Sequence, residues 1–313
     1  DRLYSEARAS DEIAGFLTAD VARLVGLPTG VPVAVGAFDA HHGAVGAGVR
    51  PGRLVKIIGT SACDILVAPR GAAVADIPGV CGIVPGSVVP GMTSIEAGQS
   101  AVGDIFLWFA RHGCPPEYRR GSDGKTIAAL EAAAAAQPPG ASGLVALDWN
   151  NGNRTVLVDP LLSGLLVGQT LHTTAPEIFR ALVEATAFGA ATIIRRIESY
   201  DVAVREVVTC GGIAEKSPFL MQIYADVCNR PMKISRSAQT CALGAAIFGA
   251  VVGGAHRTTT AAQKAMTGIK DVVYRPGRAR ARVYAELYEV YRALHDAFGQ
   301  TGVHPDLEGV MKR

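Results

Sequence analysis

Apolar residues along the chain follow two spacings, one helical and one extended. Leu17, Val21, Leu24 and Val25 recur at helical spacing in an otherwise irregular first 30 residues, and Pro28 and Gly30 close that stretch. VPVAVG (31–36) reads as a buried strand and leads into a Gly/Ala-rich segment ending near Val49. RLVKIIG (53–59) and ACDILVA (62–68) are β-type runs separated by Gly59, Thr60 and Ser61. Short strands with Pro/Gly punctuation follow over 80–92. The spacing of Val102, Ile105, Phe106 and Phe109 then predicts a helix over 99–112. After a polar loop, an Ala-rich helix runs to the PPG stop at 138–140. LVALDW (144–149) and TVLVD (155–159) read as strands around the turn NNGN, and a long helix covers about 175–200.

From 204 onward the rhythm alternates. VREVVTC (204–210) is a strand, Gly211-Gly212 turns it, and a helix follows over 217–228. PMKISR (231–236) is the next strand and 240–254 an apolar helix. This strand–helix–strand–helix order predicts an α/β fold with parallel strand pairs. An amphipathic helix, ARVYAELYEVYRALHDAFG, precedes a polar tail.

Composition narrows the choices. A chain of 313 residues holds one large domain or two small ones. With 49% hydrophobic and 19% charged residues it is not a disordered chain. The formal net charge of +2 gives no electrostatic reason to bind nucleic acid or an anionic membrane. No run of 18 apolar residues predicts a spanning helix, and the polar start is neither a signal nor a transit peptide. The six cysteines, Cys63, Cys81, Cys114, Cys210, Cys228 and Cys241, have no zinc spacing, and they read as small buried hydrophobes in a reducing cytoplasm. Trp108 and Trp149 read as core residues.

Several familiar motifs fail on one residue each. A phosphate loop ending in DGKT (123–126) would need glycine where Arg119 stands. The dinucleotide pattern in GAVGAGVRPG fails at Pro51, and GTSAC lacks the second glycine of a nucleophile elbow at Cys63. His41 and His42 are adjacent, so in extended chain they point opposite ways and do not form a metal pair.

Four elements are left as candidates, each with two readings. Gly59-Thr60-Ser61 is a tight hairpin tip, or a set of N–H and hydroxyl donors for phosphate. Gly211-Gly212 is a strand–helix turn needing positive φ, or a close-approach anion site. Asp39, at a strand end, is a helix cap, or a general base or metal ligand. Glu96, ahead of the predicted helix, is an anion near a helix start or a substrate contact.

Together, VAVGAFDAHHGAVGAG (33–48), KIIGTSACDIL (56–66), SIEAGQSAVGDIFLWF (94–109), LDWNNGNR (147–154), VVTCGGIAEKSPFLMQIYADVCNRP (207–231) and SAQTCALGAAIFGA (237–250) resemble the FGGY carbohydrate kinases. The likeness covers about 30–300. It implies an actin-like ATPase fold of the ribonuclease H-like type, a mixed sheet flanked by helices, and ATP with Mg²⁺ as cofactors. Asp39 matches the catalytic base. Gly59, Thr60 and Ser61 match the loop holding the β/γ-phosphates, and Gly103 a glycine near the nucleotide. Gly211 and Gly212 match the loop under the α-phosphate and ribose, Ser217 an adenine contact, and Glu96 a sugar-contacting acid. The implied substrate is a ketopentose, L-ribulose foremost, with xylulose, ribitol or glycerol as other acceptors. A homodimer is compatible with it.

The family's N-terminal domain opens on D-x-G-[ST]-x-[ST], which is not found here. The chain therefore reads as residues 1–50 from the end of a first domain and 51–313 as a C-terminal nucleotide-binding domain. On that reading it is either the catalytic-Asp-bearing half of a kinase or a nucleotide-binding fragment without turnover. Asn150 stands where the family often carries a second Trp.

Overall fold

The computed structural model describes residues 7–299; the first residues and the polar C-terminal tail lie outside the described residues. Two short strands, β1 (Ile13–Phe16) and β2 (Pro32–Ala34), flank α1 (Ala19–Val25) and pair antiparallel. The strand expected over 31–36 is thus only three residues long and is not buried. Its one pairing partner among the described residues is β1, and Val33 stays 44% exposed. The Gly/Ala-rich segment after it is a helix, α2 (Asp39–Gly46).

A seven-stranded mixed sheet dominates the fold. β3 (Arg53–Ile58) and β4 (Ala62–Ala68) form the expected hairpin, followed by β5 (Gly82–Pro85) and β6 (Thr93–Gln99). Next come α3 (Gly103–Trp108), whose last turn widens over Phe109–Gly113, α4 (Asp123–Ala135), and a small pair, β7 (Val145–Leu147) and β8 (Leu165–Val167). The rest is α5 (Ala175–Glu198), β9 (Glu206–Cys210), α6 (Gly212–Lys216), α7 (Pro218–Val227), β10 (Met232–Ser235), α8 (Thr240–Val252), α9 (Thr259–Met266), β11 (Ile269–Tyr274) and α10 (Arg278–Gly299). The sheet order is β11-β10-β9-β3-β4-β6-β5, with β9 parallel to both β3 and β10.

Period-two alternation in the strands divides the core. Leu54 and Ile58 of β3 face a large apolar cluster with α3, α4, α5, α7 and α10, while Val55 between them faces a smaller one with α2, α8 and α9. The sheet is therefore sandwiched between two helical layers. The 24-residue α5 starts on a capping box, in which the Thr174 N–H donates to Glu177 Oε2 at 2.7 Å. Its Phe188 ring meets Tyr284, Tyr288 and Tyr291 of α10.

Tertiary pairing moves three boundaries. β6 extends through Glu96 to Gln99, because all seven of its residues pair with β4, so the expected helix starts only at Gly103. TVLVD is not a strand: Val158 has φ 55° and the Leu157 N–H donates to Asn153 Oδ1, so β7 pairs with Leu165–Val167 instead. The helix expected over 217–228 is α7, and the turn expected at Gly211-Gly212 instead runs into a further short helix, α6, which ends at Ser217, whose hydroxyl accepts the Leu220 N–H and caps α7. Trp149 is buried as read, but Trp108 is 48% exposed. Cys114, Cys210 and Cys228 are buried, Cys63 and Cys241 are partly so, and Cys81 is exposed. No helix among the described residues is long and apolar enough to cross a membrane.

Candidate functional site

Three chain corners meet at the C-terminal ends of the interior strands β3, β6 and β9. The β3–β4 hairpin closes with Gly59 N–H donating to Ser61 O at 2.9 Å. The Gly59 and Thr60 carbonyls accept the Gly103, Val102 and Asp104 amides, which pins the β6–α3 junction onto the hairpin tip. This uses the carbonyls and leaves the Thr60 and Ser61 hydroxyls without a protein partner among the described residues. At Gly103 a Cβ would lie 2.7 Å from Gly59 O and 2.6 Å from Ile213 Cδ1, so only glycine fits between these two corners. Gly211 has φ 99°, and a Cβ there would lie 2.3 Å from Ile58 O. The β9–α6 corner therefore rests directly on the end of β3.

A cleft of about 570 Å³ opens between these corners and α4, and Gly59, Thr60, Gly103, Gly212 and Ser217 all line it. Ser61 and Gly211 adjoin it in the chain. Gly124, Ile127, Ala128 and Glu131 present one face of α4 to the cleft, at i, i+3, i+4 and i+7. That spacing was readable in the sequence, although an alanine-rich helix draws no attention to it. The Ser217 hydroxyl donates to Glu131 Oε1 at 2.6 Å. Burial pushes the Glu131 carboxyl above its ordinary range, offset in part by this bond. A wider groove of about 880 Å³, between α5 and α10, is lined by charges of both signs and contains none of the predicted residues.

Beneath the hairpin tip lies a closed polar network. Lys56 and Asp64 face each other in the β3–β4 register, with Nζ 2.9 Å from Oδ2, and both are buried. Nζ also donates to Gln99 Oε1 at 2.9 Å. Gln99 Nε2 donates to Asp148 Oδ2 and Thr186 O, and the Tyr291 hydroxyl donates to Asp148 Oδ1. These bonds tie the hairpin, the end of β6 and α10 into one rigid support.

Asp39 and Glu96 lie outside the cleft. Asp39 is not at a strand end but is the first residue of α2. It is exposed, and its Oδ1 accepts the Ala40 N–H at 2.7 Å. Glu96 lies within β6, not ahead of a helix, and its carboxylate joins two distant elements. His41 Nε2 is 3.0 Å from Oε2, and Arg154 Nη2 donates to Oε1 at 2.9 Å. The His41 hydrogen bond, helped by the Arg154 charge and partly opposed by burial, holds this carboxyl below its ordinary range. His41 thus links the Glu96 cluster to the helix turn carrying Asp39. His42, its neighbour, packs against Phe248 instead. Arg154 also reaches Cys81 and Cys63. Neither His41 nor Arg154 was identifiable from sequence, since each finds its partner 55 or more residues away.

An α/β sheet layered between helices, with glycine corners around a cleft at the ends of its central strands, is an actin-like fold. The chain belongs to the FGGY family of carbohydrate kinases, whose C-terminal domain matches residues 54–252. It is 44% identical over 307 residues to the ribulokinase of Shouchella clausii, covering 96% of this chain and 54% of that protein. It is 45% identical over 304 residues to the ribulokinase of Mycolicibacterium smegmatis, covering 96% and 53%. In structure it is similar to a xylulose kinase from Rhodospirillum rubrum, with TM-score 0.79 at 29% identity over 96% of this chain and 57% of that one. The Plasmodium falciparum glycerol kinase with ADP shares the fold at TM-score 0.72 and 13% identity, over 91% of this chain and 55% of that one. The chain spans about half the length of these relatives.

Proposed function

We propose that this chain is the catalytic-carboxylate and nucleotide half of an ATP-dependent ketopentose kinase. The complete protein would convert L-ribulose to its 5-phosphate. The observation that carries this reading is the single cleft shared by Gly59, Thr60, Gly103, Gly212 and Ser217. The ribulokinase relatives support the choice of acceptor. The start of the family match at residue 54 supports a division near residue 50, across which α2 packs on α8 of the C-terminal unit.

Phosphoryl transfer asks the protein for placement and charge neutralisation more than for covalent chemistry. The Thr60 and Ser61 hydroxyls and amides at the hairpin tip hold the β/γ-phosphates. The backbone at Gly211-Gly212 lies under the α-phosphate and ribose. Asp39 accepts the proton of the attacking sugar hydroxyl, and Glu96, held by His41 and Arg154, orients the sugar. Asp104 lines the cleft beside the phosphate corner, and one carboxylate with phosphate oxygens is the donor set Mg²⁺ prefers. The ion would be held there and neutralise phosphate charge. The half-length coverage favours a second reading, in which the 313-residue chain alone binds nucleotide without turnover.

A coupled ADP-release assay with L-ribulose separates the two readings, since only the first gives sugar-dependent ADP. In the complete kinase, Asp39→Asn is expected to lower kcat by about 10²–10⁴-fold with ATP affinity nearly unchanged. A near-normal kcat removes Asp39 from the role of base.

A further inference from the structure

The Ser217 hydroxyl is poorly placed to read a base. Its hydrogen goes to Glu131 Oε1 at 2.6 Å, and its oxygen accepts the Leu220 N–H at 3.1 Å. Both interactions belong to the local fold, one joining α4 to α7 and the other capping α7. Ser217 is itself only 4% exposed. The group that faces the cleft beside it is Glu131.

We propose that Glu131 selects the nucleobase, with Oε2 accepting one N–H from the 6-amino group of adenine. This assignment rests on the reading of the cleft as a nucleotide site. The cleft runs from a hydrogen-bonding corner at Gly59 and Thr60, beside which Ile213 and Gly103 pack, to the face of α4, which is apolar at Ile127 and Ala128. Phosphates belong at the first end, so a base lies at the second, flanked by apolar walls. Glu131 stands on that side, one helical turn from Ile127 and Ala128. The other ionisable groups lining the cleft are Asp104, at the phosphate corner, and the exposed Lys216.

A carboxylate accepts hydrogen bonds and does not donate them. With Oε1 held by Ser217, one oxygen remains, and it suits one exocyclic amine. Hypoxanthine would place its 6-carbonyl against that oxygen, two acceptors facing each other in a half-buried site. Guanine has the same 6-carbonyl, and its N1–H and 2-amino pair would need both carboxylate oxygens. Ser217 thereby becomes a positioning residue, fixing the rotamer of the group that discriminates.

The test is isothermal titration of the 313-residue chain with ADP, GDP and IDP. The wild type is expected to bind ADP at least about tenfold more tightly than either 6-oxo nucleotide. In Glu131→Gln the amide can turn its N–H to the 6-carbonyl, so the ADP/IDP ratio should fall to about one or invert. In Glu131→Ala the ratio should also approach one, with melting temperature as the control for folding. Ser217→Ala, which frees the Glu131 rotamer, should weaken the preference for ADP without abolishing it. Equal wild-type affinity for the three nucleotides overturns the assignment and leaves the nucleotide site standing. So does a preference that survives Glu131→Ala. Binding of none of the three overturns the nucleotide reading of the cleft, and this assignment with it.

Discussion

Glu206, at the start of β9, accepts from Arg53 Nε at 2.7 Å, Arg50 Nη2 at 2.8 Å and Lys233 Nζ at 2.8 Å. It thereby fastens three neighbouring strands, β3, β9 and β10, at one end. Burial works against the charge, but the bonds from Lys233, Arg53 and Arg50 prevail and bring its pKa down from 4.5 to about 2. A folded-state value below the unfolded one stabilises the fold above pH 4.5, and this contribution is lost as pH falls from 4.5 towards 2. After allowance for partial solvent screening it is worth about 1–3 kcal/mol. Melting curves between pH 6 and pH 3 should show the wild type losing more on acidification than Glu206→Gln, with the gap between the two narrowing towards the acid end. Parallel curves would mean that the clasp carries no net energy. Single side chains were the least legible feature of the sequence. Lys56 and Asp64 stand in the two predicted strands, and a hairpin tip at 59–61 places them opposite each other, as the structure does. Glu206 and Glu96 gave no such hint, because their partners come from distant elements.

At the scale of elements, the crossing of α2 and α8 decides where Asp39 stands. A Cβ on Gly244 would lie 1.9 Å from the His42 carbonyl oxygen, and one on Gly46 2.0 Å from Thr240 O. Backbone meets backbone here, so no rotamer change relieves the contact. Gly244→Ala is expected to destabilise by about 1–3 kcal/mol or more and to displace α2. Gly249, on the same helix, has open space around it. Gly249→Ala should be neutral or stabilising by up to about 1 kcal/mol. Equal melting temperatures for the two variants would contradict the crossing. The glycines that make this contact are also why α2 was not read as a helix: DAHHGAVG lacks the apolar periodicity of α5 or α10. Those two helices, the β3–β4 hairpin and the alternation from 204 to 252 were legible, because each buries one face and its spacing records that. The start of α3 and the false strand at 155–159 were misread, because pairing with β4 and the Asn153 turn outweighed local preference.

At the scale of the whole molecule, the glycine corners were the most readable part of the candidate site. Each carries a residue type whose reason is geometric: a hairpin tip, a positive φ, or a close approach between chains. The sequence marks such positions even when their neighbours in space are unknown. It did not show that α4 closes the cleft with Glu131, or that His41 joins Glu96 to the turn bearing Asp39, because both depend on how separate elements pack. The polar network from Lys56 to Tyr291 explains how corners from three loops keep one arrangement, since the hairpin, the end of β6 and α10 share it. The account as a whole depends on one nucleotide touching those corners at once. A crystal structure of the chain with ADP and Mg²⁺ tests this most directly. The account predicts phosphate oxygens within hydrogen-bond distance of Thr60 or Ser61, the ribose over Gly211-Gly212, and the base against Ile127 and Ala128. ADP bound in the groove between α5 and α10, or touching only one of the glycine corners, would contradict it.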